Sequence, residues 1–397
     1  MNVDMNVDMR NYAKQMHVSY ALGAWAKYVW ESALVLVFGC ATLNAVASDG
    51  KLDAVIRNYG ENKKFAGVVW IQERENVIAK EAFGLANREQ KLPHSVDERF
   101  RIASITKLFA AALVMKAVDE GKVSLDEKVS KYDTELAKQN AAQITIRQLL
   151  QHTSGLPDPA GKNIKDNEVG AFYLSKNPKF ADAKFVIRER MKGKLAFAPG
   201  SKFNYNNGDY LVLQRVLEIV YKKSFAEILK NKIPDPLTLR NTGMLRGGRN
   251  ERAGGLPKGY ELVADKIKPE PNIAIENFGA AGAMYSTASD LATFALALTS
   301  GKLLSAESTK AMLTGDEKLG YVALGAWVFP LQIEGLNPAP QMLAREGEIG
   351  TFKLSLIADP QRQRVIIIMT NQSPNPIGTT WAQEGLMFDL LQAWYRD

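Results

Sequence analysis

One cysteine, Cys40, stands among 397 residues, so no intrachain disulfide can form. Histidine is nearly as scarce: His17, His94 and His152 are the full set. With so few, and with no HExxH or CxxC segment, a zinc centre built on His or Cys is not expected. No GxSxG segment occurs, which excludes the strained nucleophile turn of the α/β-hydrolases. A Ser-His-Asp set would depend on His94 or His152. No run of Lys and Arg reaches five, so a nucleic-acid partner is not expected despite a net charge of +7. What is present is ordinary globular composition, 46% apolar and 23% charged. At roughly 150 residues per domain the length allows two or three domains.

The N-terminal stretch reads as a leader. Residues 1–8 repeat MNVD twice, and Lys14 and Lys27 precede an uncharged run from Ser32 to Ser48. The run has an apolar heart, Ala33–Ala41, and ends in the small-x-small triplet Ala45-Val46-Ala47. That is the order of a secretory signal: basic region, apolar region, cleavage site. The run is shorter than the ~20 residues a spanning helix needs. Two other readings stay open: an uncleaved anchor that recruits Tyr20–Trp30, and a lipid-bearing Cys40. The expectation is a leader over 1–47 and an exported mature chain beginning near Ser48, periplasmic or secreted. Cleavage would remove the only cysteine, as suits an oxidising compartment. A membrane enters only if the leader stays.

Beyond Ser48, Leu52–Asn58 has apolar residues at helical spacing. Phe65–Gln72 and Asn76–Phe83 predict a β-hairpin. Ser104–Glu120 predicts a long apolar helix ended by Gly121. Helical patterns follow at Ile144–Leu150, Tyr210–Val220, Phe225–Lys230, Ala288–Thr299 and Thr380–Tyr395. Residues 247–272 read as loop with a strand or two. Ala323–Phe329, Leu354–Ala358 and Val365–Thr370 read as strands. Strands thus lie at both chain ends and helices between them. This predicts an α/β (α+β) fold, an antiparallel sheet flanked by helices with an inserted helical domain. The sheet part would cover about 48–103 and 276–397, and the helical part about 104–275.

Three segments carry chemistry. In Arg101-Ile-Ala-Ser104-Ile105-Thr106-Lys107, Ser104 and Lys107 are three apart and share a helix face. A serine at a helix start gains from the dipole, and a lysine in apolar surroundings can serve as a base near neutral pH. A serine could then be activated without histidine. The segment Tyr205-Asn206-Asn207 lies in a turn-rich stretch, where extended backbone would put Tyr205 and Asn207 on one side. A phenol beside an ammonium has its pKa lowered and can shuttle protons, and Asn207 offers a donor and an acceptor. The third segment, Arg345-Glu-Gly-Glu-Ile-Gly-Thr-Phe352, enters the strand Leu354–Ala358. It reads either as a basic residue with a glycine that lets substrate approach the backbone, or as a hairpin turn.

Ser-x-x-Lys, Tyr-x-Asn and basic-x-Gly in that order resemble the serine β-lactamase/penicillin-binding protein superfamily. The branch is that of class C β-lactamases, DD-peptidases and esterases. Further matching segments are Phe83–Asn87, Arg99–Ser104, Leu149–Leu156, Pro199–Tyr205 and Ala281–Leu291, so the resemblance covers nearly all of 50–397. It implies Ser104 as the acylated nucleophile, Lys107 and Tyr205 as the proton-transfer pair, and Asn207 as the holder of the acyl side chain. It also implies an oxyanion hole from the backbone N–H groups of Ser104 and Glu348, and no cofactor.

The third motif departs from the family's Lys-Thr-Gly or His-x-Gly. One register gives Arg345-Glu346-Gly347, with Arg345, Gly347 and Glu348 lining the substrate groove. The other gives Glu348-Ile349-Gly350. In the first, a Glu346 that faced the groove would repel a substrate carboxylate; strand alternation would instead turn it away from Arg345. His152 reads as a structural histidine, His94 beside Pro93 as surface loop, and Lys222-Lys223 and Arg246–Arg252 as solvated faces. The expectation is an exported hydrolase of a small ester, amide or peptide acyl substrate. The alternatives are a β-lactamase or D-alanyl-D-alanine carboxypeptidase, and a non-catalytic penicillin- or peptidoglycan-binding module. Oligomeric state is not legible.

Overall fold

A computed structural model of the chain describes residues 50–133, 142–159, 182–191, 193–245, 256–263, 266–271 and 273–396. The leader, Cys40 and Arg246–Arg252 lie outside the described residues. Six strands form the main sheet: β1 (Gly67–Glu73), β2 (Asn76–Phe83), β3 (Trp327–Pro330), β4 (Gln341–Ile349), β5 (Phe352–Asp359) and β6 (Arg364–Thr370). Their order is β3-β4-β5-β6-β1-β2, and every neighbouring pair is antiparallel. The two chain ends meet where β1 pairs with β6, from Gly67 opposite Thr370 to Glu73 opposite Arg364.

These strands are rich in branched residues because both sheet faces are covered. Alternation sends Val68, Trp70, Leu354, Leu356, Val365 and Ile367 into one core. Val69, Ile71, Ile357, Ile366 and Ile368 go into the other. Helices from the chain ends, α1 (Gly50–Arg57) and α5 (Gly385–Tyr395), close the second face with Leu52, Ile56, Leu386, Leu390 and Trp394. Opposite, the larger core holds α2 (Thr106–Asp119), α3 (Asn207–Tyr221) and α4 (Ala288–Thr299). Among the described residues no helix is long and apolar enough to cross a membrane.

Helix α2 is apolar on all sides, the pattern of a helix that runs through a core. Phe109 stacks on Phe294 of α4 with centroids 3.7 Å apart, and both rings are fully buried. Phe109→Ala should lower unfolding stability by about 3–5 kcal/mol, read as a lower denaturant midpoint at unchanged slope.

Three expectations need correction. Arg345 does not sit in a turn or at the mouth of the next strand: it lies within β4, a strand of its own. The turn comes at Gly350 (φ +59) and Thr351. The charged run Arg-Glu-Gly-Glu hides this strand, because alternation there is not apolar against polar. Tyr205 and Asn207 do not share an extended segment, since Asn207 opens α3. Finally, His94 is buried. Its ring stacks on Phe100 at 5.5 Å, Nε2 lies 3.1 Å from Asn371 Oδ1, and Nδ1 faces Glu98. Its neighbours Leu92 and Pro93 are exposed, but the short ladder they form with Leu85–Asn87 turns residue 94 inward. Lys222 and Lys223 are exposed, and Lys222 ends α3 in the left-handed conformation.

Candidate active site

The short strand Phe100–Arg101 pairs with Met284–Ser286, and the Ile102 N–H donates to Met284 O at 2.9 Å. Ala103 then takes φ +45, a conformation that costs a Cβ-bearing residue about 1–2 kcal/mol. This kink delivers Ser104 on a single 3-10 turn at the N-terminal end of α2. Ser104 is part-exposed, whereas Lys107, three residues on, is completely buried. Lys107 lies on the buried first turns of the helix, so its ammonium is withdrawn from bulk water.

Lys107 Nζ spends its three donors inside the protein: Ala281 O at 2.7 Å, Asn207 Oδ1 at 2.9 Å and Ser104 Oγ at 3.2 Å. Burial pushes its pKa down to about 8; Tyr205 opposes this and the Arg345 charge adds to it.

Tyr205 Oη lies 2.7 Å from Ser104 Oγ and accepts from Arg345 Nη2 at 3.0 Å. Burial alone would raise the phenol. The charges of Lys107 and Arg345, with the hydrogen bond shared with Ser104, outweigh it and bring the pKa below the ordinary tyrosine value. The segment is set by α3: Asn206 caps it, accepting from the Gly208 N–H at 2.7 Å and donating to Leu156 O at 2.6 Å. Asn207 is therefore turned toward Lys107. Its backbone N–H also donates to Asp158 Oδ2 at 3.2 Å.

Arg345 is only 1% exposed. Its Nε donates to Ser104 O at 2.9 Å, while Nη2 holds Tyr205. It thus braces the serine and the phenol together. Arg345→Met should slow acylation about 10–100-fold at neutral pH. With Tyr205 as the base, the rate would rise with pH as the phenol loses its proton, and loss of the guanidinium would disfavour the phenolate. The rising limb of kcat/KM should therefore move to higher pH.

Gly347 serves close packing. A Cβ there would stand 2.4 Å from Ile102 O and 3.3 Å from Ile105 N, so β4 can abut the Ser104 turn only with glycine. Glu348 is exposed at the end of β4. The hairpin beyond it is pinned by Glu270, which accepts from Thr351 N at 2.7 Å and Oγ1 at 2.8 Å and pairs with Arg101 at 2.6 Å.

Glu346 does not face this site. Leu343 and Ile349 share Arg345's face of β4 and enter the larger core, whereas Met342 and Ala344 enter the other with the alternation that carries Glu346. Burial raises its carboxyl, against Lys353 and with Glu348. The Glu346 side chain therefore lies on the face of β4 away from Ser104 and does not repel a substrate there.

Sequence reasoning missed two acids. Asp158 backs Asn207. Asp209, in the first turn of α3, is fully buried, with Oδ2 3.1 Å from His152 Nδ1. Burial pushes its carboxyl well up, against a hydrogen bond from Ser154. A lone acid at a helix start reads as a capping residue, so nothing in the sequence marked it.

A family model described as Beta-lactamase matches residues 52–385. Protein flp of Staphylococcus aureus (strain MRSA252) is 27% identical over 233 residues, which is 57% of this chain and 44% of that protein. The chain therefore spans less than half the length of that relative. A penicillin-binding protein from Bacillus halodurans superposes with a TM-score of 0.68 at 23% identity, covering 86% of this chain and 98% of its own. EstCE1, described as a hydrolase with promiscuous acyltransferase activity, superposes at 0.73 with 22% identity, covering 87% and 99%. At those identities the structures speak for the fold alone. The family match spans most of the sequence and includes Ser104, Lys107, Tyr205 and Arg345, and with it the chain belongs to the β-lactamase family and has that family's serine-hydrolase fold.

Proposed function

We propose that the chain cleaves an ester or amide through an acyl-enzyme on Ser104. One observation carries the reading: Lys107 and Tyr205 both lie within hydrogen-bond reach of Ser104 Oγ, while Arg345 holds the phenol from behind. In this mechanism Tyr205, as phenolate, takes the Ser104 proton while Oγ attacks the substrate carbonyl. The backbone N–H groups of Ser104 and Glu348 receive the oxyanion. Tyr205 then returns the proton to the leaving group and activates the water that releases the acyl group. Lys107 and Arg345 favour the phenolate each time Tyr205 passes its proton on, and the proton taken from water returns to Ser104 Oγ as the acyl group leaves.

Small uncharged acyl donors are favoured over penicillins and D-alanyl peptides. Those substrates carry a carboxylate that asks for a free cation. Lys107 and Arg345, the cations bonded to the Ser104–Tyr205 pair, are buried and already bonded within the protein. The penicillin-binding and amidase names among similar structures make β-lactam or D-amino-acid amide cleavage the alternative. Comparing kcat/KM for p-nitrophenyl acetate, nitrocefin and a D-Ala-D-Ala peptide decides between them. The ester should lead by at least tenfold; nitrocefin turnover at or above the ester rate would overturn the preference. Export completes the proposal, supported by the Ser32–Ser48 run and Ala45-Val46-Ala47. N-terminal sequencing of protein secreted from a Gram-negative host should begin near Ser48, and a full-length chain in the membrane fraction would contradict it.

A further inference from the structure

We propose that His152 is a positioning residue for Tyr205, locking the backbone on both sides of the phenol so that its oxygen stays on Ser104. The inference rests on the reading of Tyr205 as the base. Asn204 N–H donates to His152 O at 2.8 Å, and Asn206 N–H donates to His152 Nδ1 at 3.3 Å. The imidazole also lies against the Tyr205 ring, with centroids 4.5 Å apart. One residue therefore holds the residue before Tyr205, the residue after it, and its ring.

The bonding pattern fixes the protonation of the imidazole. A backbone N–H can donate to Nδ1 only if Nδ1 carries a lone pair, so the ring proton belongs on Nε2. Nε2 is buried and, among the described residues, has no hydrogen-bond partner. Asp209 Oδ2 lies 3.1 Å from the same Nδ1, and in this tautomer a protonated Asp209 shares that lone pair with the Asn206 N–H. The surroundings favour this neutral pair. Lys107 from α2 and Arg345 from β4 are the cations around the ring. Asp209 and Tyr210 come from α3, and Asp158 from the stretch that follows the helix Ile146–Leu150. A protonated imidazole would add a third buried cation to the first two and turn Nδ1 into a donor, releasing Asn206. Burial, then Arg345 and Lys107, hold its pKa well below the ordinary histidine value.

The cluster also looks like a second nucleophile set, because Ser154, Asp209 and His152 are joined. The connectivity is wrong for that chemistry. Ser154 Oγ donates to Asp209 Oδ1 and not to the imidazole, and Ser154 is 1% exposed. The cluster is built to hold a segment.

Backbone geometry supplies the test. His152 has φ +56, which Asn tolerates better than other side chains. Asn also offers an acceptor near the Nδ1 position. His152→Asn should keep the lock, whereas His152→Phe keeps a ring and removes the acceptor. The measurement is the single-turnover rate of Ser104 acylation by p-nitrophenyl acetate across about pH 5–9, with fluorophosphonate active-site titration and melting temperature. The Phe variant should acylate about 10–100-fold more slowly per titrated site, with its rising limb at higher pH. The Asn variant should recover to within about threefold and restore the limb. Wild-type rate and limb in the Phe variant would overturn the inference. So would losses that track only the titrated fraction and melting temperature, which is what a merely structural histidine predicts. If wild-type Ser104 does not acylate at all, the proposed function itself fails, and that outcome is distinct from either.

Discussion

Ser104→Ala should remove turnover of every substrate the wild type accepts, by about 10⁴-fold or more, because the proposed acyl-enzyme forms on this hydroxyl alone. The described histidines cannot take over: His94 is occupied by Asn371 and Glu98, and His152 faces backbone and Asp209. The fold should survive the change. Oγ is part-exposed, and its neighbours keep other partners: Lys107 retains Ala281 O and Asn207, and Tyr205 retains Arg345. A melting temperature within a few degrees of wild type is expected, since a small side chain is lost at a cleft surface. Residual hydrolysis above about one per cent in the purified variant would place the chemistry elsewhere.

Lys107→Met should separate catalysis from stability. Methionine fills a similar volume in the buried helix and removes a cation whose burial is costly. Asn207 Oδ1 and Ala281 O lose a donor, at about 1–3 kcal/mol each for a buried unsatisfied group, and relief of the ammonium's desolvation offsets part of this. Thermal stability should therefore change little, while acylation slows by about 10²–10⁴-fold. The pH profile carries the diagnosis. Acylation needs an unprotonated base, so kcat/KM rises with pH through the pair's ionisation. One of the two cations that favour the Tyr205 phenolate is gone in the variant, so burial weighs more against Arg345 alone and the limb moves upward. In the wild type, Lys107 with a pKa of about 8 loses its own proton at the alkaline end, and the phenolate loses its partner charge there. A falling alkaline limb present in wild type should be absent from the methionine variant. A variant with a normal profile and only fewer folded molecules would assign Lys107 to structure.

Much of the scaffold is legible because it obeys simple periods. Asn76–Phe83 and Ala288–Thr299 occupy the spans their patterns predict, and α2 begins two residues after Ser104. The sheet built from both chain ends follows from strands placed at each end. What stayed hidden lies where function bends the local rules. Strand β4 carries Arg345, Gly347 and two glutamates, so it resembles a turn. The glycine that looked like room for substrate is room for the backbone of Ile102 and Ile105. Arg345 looked like a substrate-facing cation, and only the folded chain shows it drawn onto Ser104 O and Tyr205. Ser104 and Lys107 could be paired from helix spacing alone. Their meeting with Tyr205, a hundred residues away in the chain, had no local signal, and the family resemblance supplied it.

The most direct test is the intact mass of wild-type protein quenched during turnover of a p-nitrophenyl ester, followed by peptide mapping. One added acyl group is expected, on the peptide that contains Ser104, formed faster as pH rises through the limb and absent from Ser104→Ala. An acyl group on another serine, Ser154 included, or hydrolysis with no covalent adduct under single-turnover conditions, would contradict it.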